Sequence, residues 1–168
     1  APDLLYLRDT TGDGKANQRT VIFTGFGKDK AGEAHLNSIR WGLDHRFHFS
    51  TNLSGGNVKA VEQATDKPDP VSVRGRGFIF DPRRLGKFEL TSGGGQHGLS
   101  IDNWGRKFVC SNSVPAQTLM YDDRYVARNP HVEAPAAAVD IAPKGKYTKL
   151  FRISPGEPWR ILRTRLRK

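Results

Sequence analysis

Short runs of β-branched and aromatic residues, each followed by a turn rich in Gly, Asp or Asn, recur along this chain and constrain its fold. Leu4 to Arg8 and Thr20 to Phe26 flank a Gly/Asp-rich loop, which predicts a first antiparallel hairpin. Further strands are predicted at Ser38 to Trp41, Phe47 to Thr51, Val58 to Gln63, Gly77 to Phe80, Lys87 to Thr91, Leu99 to Asp102, Lys107 to Ser111 and from Leu119. This pattern predicts an all-β fold.

The two central hairpins resemble each other, which indicates a weak internal repeat. Residues 42–52 and 100–112 share a turn followed by a Ser/Thr/Asn-terminated strand, with Asp44 and Asp102 58 residues apart. On this alignment the second turn is two residues longer. A repeat of roughly 40–60 residues built from short strands is typical of β-propeller blades, which must stack to bury both faces. A β-sandwich is also compatible with the repetition.

Two tryptophans and the C-terminal third complete the expectations for the fold. Trp41 and Trp104 occupy near-matching places in the hairpins, so we expect them to pack between neighbouring sheets. Residues 129–147, rich in Pro and Ala, predict a long irregular connection. Lys149 to Ile153 is strand-like, whereas Trp159 to Lys168 fits either a strand or a helix face.

Charge and composition exclude several classes of protein. The net charge is +10, but residues 144–168 carry +8 of it, so the body is nearly neutral and does not predict nucleic-acid binding. No apolar stretch reaches the length of a membrane-spanning helix. Cys110 is the only cysteine, which excludes an internal disulfide and a cysteine-based metal site.

Several segments together resemble a known bacterial family. They are LLYLRDTTGDGKANQRTVIFTGFG, HLNSIRWGLDHRFHFSTN, RGFIFDP, GLSIDNWGRKFVCSNS, YVARNPH and FRISPGEPWRILRTRLR. In this order they are similar to the N-terminal propeller of the membrane-bound dehydrogenases of planctomycetes and verrucomicrobia. That family is similar in fold to soluble quinoprotein glucose dehydrogenase, a six-bladed propeller.

The resemblance implies a fold, an activity and a location. It implies that residues 1–168 form one partial propeller of roughly two to three blades, which is a fragment of a larger chain. The parent would oxidise a sugar or alcohol with pyrroloquinoline quinone and calcium in the periplasm or at the cell surface. The fragment alone would be inactive, because the substrate channel needs the remaining blades.

The first hairpin loop resembles the front of a calcium-binding loop. Asp9, Thr11, Asp13, Lys15 and Asn17 stand at alternate positions, where calcium loops supply oxygen ligands. The loop lacks a bidentate glutamate at its twelfth position, and only two carboxylates remain. A plain turn closed by Asp side chains is therefore the alternative to a calcium site.

The resemblance also implies site residues for the parent enzyme. His35, which precedes a predicted strand, would be the general base that accepts a hydroxyl proton. The residues expected to touch substrate or cofactor are Asn37, Arg40, Gln96, His97 and Asn112. The alternative for all of them is ordinary hydrogen bonding within loops.

Two further functions remain open beside the dehydrogenase. A non-catalytic propeller would bind a glycan or a protein at the cell surface without redox turnover. A basic nucleic-acid module would depend on residues 144–168 and ranks last.

Overall fold

The computed structural model describes residues 2–27, 35–52, 55–61, 69–126, 128–129, 131–151 and 153–167. Most elements in these segments are short antiparallel strands, so the all-β prediction is confirmed. The strands are β1 (Asp3–Arg8), β2 (Gln18–Phe26), β3 (Asn37–Trp41), β4 (Phe47–Ser50), β5 (Gly56–Ala60), β6 (Val71–Ser72), β7 (Gly77–Phe80), β8 (Phe88–Thr91), β9 (Leu99–Ile101), β10 (Lys107–Val109), β11 (Gln117–Leu119) and β12 (Ala138–Asp140). The helices are α1 (Asp123–Val126), a 3-10 turn (Gly145–Tyr147) and α2 (Pro158–Leu166).

The strands form three four-stranded antiparallel sheets. Sheet 1 has the order β1-β2-β5-β6, sheet 2 has β3-β4-β7-β8, and sheet 3 is the continuous run β9 to β12. The chain leaves sheet 2 after β4, adds β5 and β6 to sheet 1, and then returns to complete sheet 2. Sheets 1 and 2 are therefore interleaved, and each depends on the other for its completion.

An aromatic core lies between sheets 1 and 2. Phe23 of β2 and Phe78 of β7 are fully buried and meet edge to face, with ring centroids 5.2 Å apart. Phe80 and Phe88 also lie against the Phe23 ring. Alternation and pairing place Phe78, Phe80 and Phe88 on the face of sheet 2 that meets Phe23. Burial of these large apolar side chains is the main contribution that holds the two sheets together.

The other face of sheet 2 packs against sheet 3 and is more polar. His48, Ser50 and Ile79 on sheet 2 share this interface with Leu99 and Val109 on sheet 3. His48 is 6% exposed, its Nε2 lies 2.9 Å from an Asp44 oxygen, and its Nδ1 has no partner among the described residues. All four residues of β7 are buried, because sheet 2 is covered on both faces.

The two central hairpins have turns of equal length, so the expected longer second turn is wrong. The Gly42 N–H donates to the Arg46 carbonyl (2.9 Å), and the Asp102 N–H donates to the Arg106 carbonyl (3.1 Å). Gly42 thus corresponds to Asp102, and Asp44 and Asp102 occupy different places in their turns. The sequence alignment paired two aspartates of the same type, whereas the backbone pairs the residues that open each turn.

The tryptophans do not pack between the sheets in this chain. Trp41 is 52% and Trp104 76% exposed. Each lies at the turn end of its hairpin, where Trp41 contacts Phe47 and Trp104 contacts Arg106. The prediction of inter-sheet packing is therefore wrong for these two side chains.

The C-terminal third contains more regular structure than the sequence indicated. Strand β12 and the 3-10 turn lie within residues 129–147, and β12 completes sheet 3. Residues 149–151 form no strand, contrary to the prediction, although β6 and α1 are additions that the sequence pattern did not indicate. Residues 158–166 are a helix, which begins at Pro158 as first-turn prolines favour.

No helix among the described residues is long and apolar enough to cross a membrane. This agrees with the sequence prediction for that part of the chain.

Replacing Phe78 with alanine should remove the centre of the aromatic core. Because Phe78 is fully buried against five other aromatic rings, we expect Phe78→Ala to lower the free energy of unfolding by about 3–5 kcal/mol. Urea denaturation followed by circular dichroism measures the change. Tyr147→Ala, at a side chain that is 75% exposed, is the control and should change stability by less than about 0.5 kcal/mol. Equal effects of the two variants would contradict the assignment of this core.

Stability should depend on the protonation of His48. Burial lowers the pKa of His48 below its usual 6.5, and the nearby Lys107 charge lowers it further, against the opposing hydrogen bond to Asp44. A histidine with a lowered pKa contributes stability that is complete above pH 6.5 and is lost as the pH falls through its folded-state pKa. We therefore expect wild-type stability to fall on acidification below pH 6.5 more steeply than that of His48→Gln.

Urea denaturation at a series of pH values measures this difference. His131→Gln, at an exposed histidine, is the control and should follow the wild-type curve. A His48→Gln curve with the same slope as wild type would contradict the role of His48.

Candidate functional site

The segments that lead into β3 and β9 come together at one edge of sheets 2 and 3. The side-chain amide of Asn37 donates to the carbonyl of His35 (3.0 Å) and to the carbonyls of Gly95 and Gln96 (both 3.2 Å). These bonds join two segments that are about 60 residues apart in sequence. The sequence-predicted residues thus gathered, here called the histidine rim, are His35, Asn37, Gln96, His97 and Asn112.

His35 is held by one ring nitrogen. Its Nδ1 lies 3.1 Å from the carbonyl oxygen of Gly27, which can only accept a hydrogen bond. Nδ1 therefore carries the proton, and Nε2 of the neutral ring keeps its lone pair. Nε2 forms no hydrogen bond with a described residue. His35 is half-buried, so the arrangement leaves an oriented acceptor at the rim.

His97 is oriented in a similar way by Asn112. The His97 Nε2 lies 2.9 Å from the Asn112 side-chain oxygen, so Nε2 is the donor and Nδ1 keeps the lone pair. The Asn112 backbone N–H in turn donates to the Gln96 side-chain oxygen (3.2 Å). Asn112 and Gln96 therefore make the hydrogen bonds that position His97.

The triple-glycine segment, residues 93–95, helps to position the rim. Gly95 is bound at both its N–H and its carbonyl by the hydroxyl of Ser50, whose donation to the carbonyl spans 3.0 Å. A Cβ on Gly94 would collide with the Thr51 carbonyl oxygen, so only glycine allows this segment to pass so close to the end of β4. Sequence reasoning missed the part played by Ser50. The serine that ends β4 gave no local signal, because its partner lies 45 residues away.

Arg40 lies beside the rim rather than in its hydrogen-bond network. It stands on β3 and lines a groove of about 320 Å³ together with Ser100, Phe108 and Cys110. Its guanidinium donates to the neighbouring Ile39 carbonyl (3.0 Å) and forms no ion pair with a described residue. The groove adjoins the rim, because the Cys110 carbonyl accepts the N–H groups of Gln96 and His97.

The oxygens of the predicted calcium loop point to the loop's own donors. Asp9 accepts the N–H groups of Thr11 (2.9 Å), Gly12 (2.7 Å) and Gly14 (2.8 Å). The N–H groups of Gly12 and then Gly14 are the main reasons that the Asp9 pKa is lowered. Asp13 accepts the Lys15 N–H in the same manner (2.9 Å).

These hydrogen bonds favour a closed turn over a calcium site. The Asn17 side-chain oxygen, another expected ligand, accepts the N–H and hydroxyl of Thr10. No group of three or more His, Cys, Asp or Glu residues that could hold a metal occurs in the described segments. Calcium stays a prediction for this loop, and the geometry favours the alternative, a turn closed by its own aspartates.

The rim does not by itself fit pyrroloquinoline quinone either. Asn37, Gln96 and Asn112 already direct polar groups to partners within the protein. Arg40 is the charged residue of the adjoining groove, and one cation is too few for a tricarboxylate. The rim and the adjoining groove therefore provide hydrogen-bond acceptors and one cation, and no step through the quinone follows from them.

Calcium should leave the stability of the chain unchanged. Because the Asp9 carboxylate is already bonded by backbone N–H groups, about 1 mM calcium should shift the melting temperature by less than about 1 °C. Differential scanning fluorimetry with magnesium as the control ion measures the shift. An increase of several degrees that is specific to calcium, and that Asp13→Asn removes, would restore the calcium site.

Comparison with known proteins places the chain in one family. The family described as a domain of unknown function, DUF7133, matches residues 1–167. No curated protein and no solved structure matches the chain. Because the match spans nearly the whole sequence, the protein belongs to the DUF7133 family.

Proposed function

We propose that this chain is a segment of a β-propeller whose histidine rim binds the hydroxyl groups of a sugar or alcohol. The three four-stranded antiparallel sheets would be roughly two to three blades. In a propeller the first strand of each blade lines the central hollow, and β3 and β9 lie next to each other as such strands would. The rest of the propeller would be supplied by the remaining blades of a longer protein.

The observation that carries this proposal is that two oriented histidines lie in the segments that lead into β3 and β9, which Asn37 joins. His35 and His97 each use one ring nitrogen for an internal hydrogen bond, which leaves the other as an acceptor. A hydroxyl group is a donor that such a nitrogen accepts well, and a polyol offers several hydroxyls at once. Two fixed acceptors on one edge favour a ligand with neighbouring hydroxyl groups over a simple apolar molecule.

The first form of this function is binding without redox turnover, as in a cell-surface propeller that recognises a glycan. Two features support it. The amides of the rim already serve to hold the histidines, and the Asp9 loop is closed by its own donors. In this form the chain needs neither a quinone nor calcium.

The second form is the dehydrogenase that the family resemblance implies, and one observation favours it. The Gly27 carbonyl selects the tautomer of His35 in which Nε2 is unprotonated, and this is the state required of a base that accepts a hydroxyl proton. The remaining blades of the parent would have to provide the oxidant and most of its binding site. We expect such a parent in the periplasm or at the cell surface.

Removing either acceptor should weaken sugar binding. With D-sorbitol and D-glucose as probes, we expect His35→Gln and His97→Gln each to weaken binding roughly fivefold, the effect of one lost hydrogen bond. Saturation-transfer NMR with isothermal titration measures the affinities. His131→Gln is the matched control, since His131 lies on the exposed surface outside the rim.

The outcomes separate the forms of the function. Binding that the rim variants leave unchanged, or the absence of binding by the wild-type chain, would contradict the proposed rim. A longer protein that contains this chain and reduces a dye with sorbitol or glucose, in a manner lost in His35→Gln, would favour the dehydrogenase. Binding by that protein without dye reduction would favour the non-catalytic form.

A further inference from the structure

We propose that Arg40 and its groove form a subsite for the carboxylate of the ligand, so that the preferred ligand is a sugar acid rather than a neutral sugar. This inference rests on the proposed function, because it specifies the class of ligand that the histidine rim receives. It concerns Arg40, which lies outside the rim's hydrogen-bond network. It is argued from the groove and the charge of Arg40 rather than from the two histidines.

The groove has the size and lining of a small-molecule subsite. Its volume of about 320 Å³ lies at the lower end of the range for ligand pockets. Phe108, Pro115 and Ala116 give it apolar walls, and Ser100 adds a hydroxyl. Arg40 is the only charged residue among those that line it, so the polarity of the groove is concentrated at one guanidinium.

The guanidinium of Arg40 retains unused donors. Several other arginines are paired with carboxylates, as Arg46 is with Asp44 and Arg106 with Asp102. Arg40 has no such partner among the described residues, and its one hydrogen bond goes to the adjacent Ile39 carbonyl. A guanidinium has five N–H donors in a planar fork that matches a carboxylate, so most of its capacity remains for a ligand.

The charge of the subsite favours a singly charged ligand. A single cation neutralises one carboxylate, whereas a phosphate dianion would leave an uncompensated charge beside the apolar walls. The groove also adjoins the rim through Cys110, whose side chain lines the groove and whose carbonyl binds the N–H groups of Gln96 and His97. A ligand with a carboxylate at one end and hydroxyl groups along its chain would therefore engage both sites.

The experiment compares two ligands that differ only at one end. Sodium D-gluconate and D-sorbitol are six-carbon polyols of the same length, and only gluconate carries a carboxylate. At low ionic strength we expect the wild-type chain to bind gluconate about tenfold more tightly than sorbitol. Isothermal titration and saturation-transfer NMR measure both affinities. Inorganic phosphate serves as a third probe for general anion binding.

Two variants test the residue itself. Arg40→Gln should abolish the tenfold preference and leave sorbitol binding unchanged. Arg84→Gln is the matched control, because Arg84 is also exposed, lies outside the groove and forms no ion pair with a described residue. It should keep the preference for gluconate.

The results also separate this inference from the proposed function. Equal affinities for gluconate and sorbitol, a preference that survives in Arg40→Gln, or tighter binding of phosphate than of gluconate would each overturn the carboxylate subsite while the rim stands. A preference that needs Arg40 but not His35 or His97 would support the subsite and overturn the rim. No binding of either polyol would overturn both.

Discussion

Sheet 2 is covered on both faces, and the rest of the structure depends on the different chemistry of those two faces. Toward sheet 1 it presents phenylalanines, of which Phe78 is fully buried. Toward sheet 3 it presents His48, Ser50 and Ile79. The aromatic face gains its stability from burial of apolar area, which is strong but has little directional preference. The polar face contributes hydrogen bonds, which are weaker and fix particular atoms relative to each other.

The histidine rim depends on hydrogen bonds made beside the polar face of sheet 2. Ser50 holds the Gly95 backbone from sheet 2, and Asn37 reaches the same segment from the start of β3. A side chain on Gly94 would collide with the Thr51 carbonyl oxygen, next to the contact between Ser50 and Gly95. The positions of His35 and His97 are therefore set by small residues and backbone groups, and only the free ring nitrogens remain for a ligand.

The sequence predicted the strands well where alternation and turn residues agree, as in β4 and β7. It left the element type open where two periods fit the same residues, since Trp159 to Lys168 suits a strand and a helix face equally. The Pro/Ala-rich segment concealed β12, whose stability comes from pairing with β11 rather than from its own propensity. The hairpin alignment failed because it matched Asp44 with Asp102 by residue type.

At the candidate site, too, the sequence predicted residue types but not the contacts that the folded backbone makes. The residue types at the rim were visible in the sequence, but the bond from Asn37 to Gly95 spans 58 positions and leaves no local pattern. In the Asp9 loop the sequence showed oxygen-bearing side chains at alternate positions. It did not show that those oxygens accept the N–H groups of Gly12 and Gly14, which is a property of the folded backbone.

One strand connects the stability of the sheet interface with the geometry of the rim. His48 and Ser50 stand two residues apart on β4, so they project from the same face toward sheet 3. His48 is a buried titratable group with Lys107 across the interface, and Ser50 is the tether of Gly95. Protonation of His48 would add a second positive charge beside that of Lys107. The repulsion would act on the interface in which Ser50 contacts Gly95. The acceptors of the rim therefore keep their positions only as long as the interface beneath them stays closed, so ligand binding at the proposed rim would depend on the packing of the sheets.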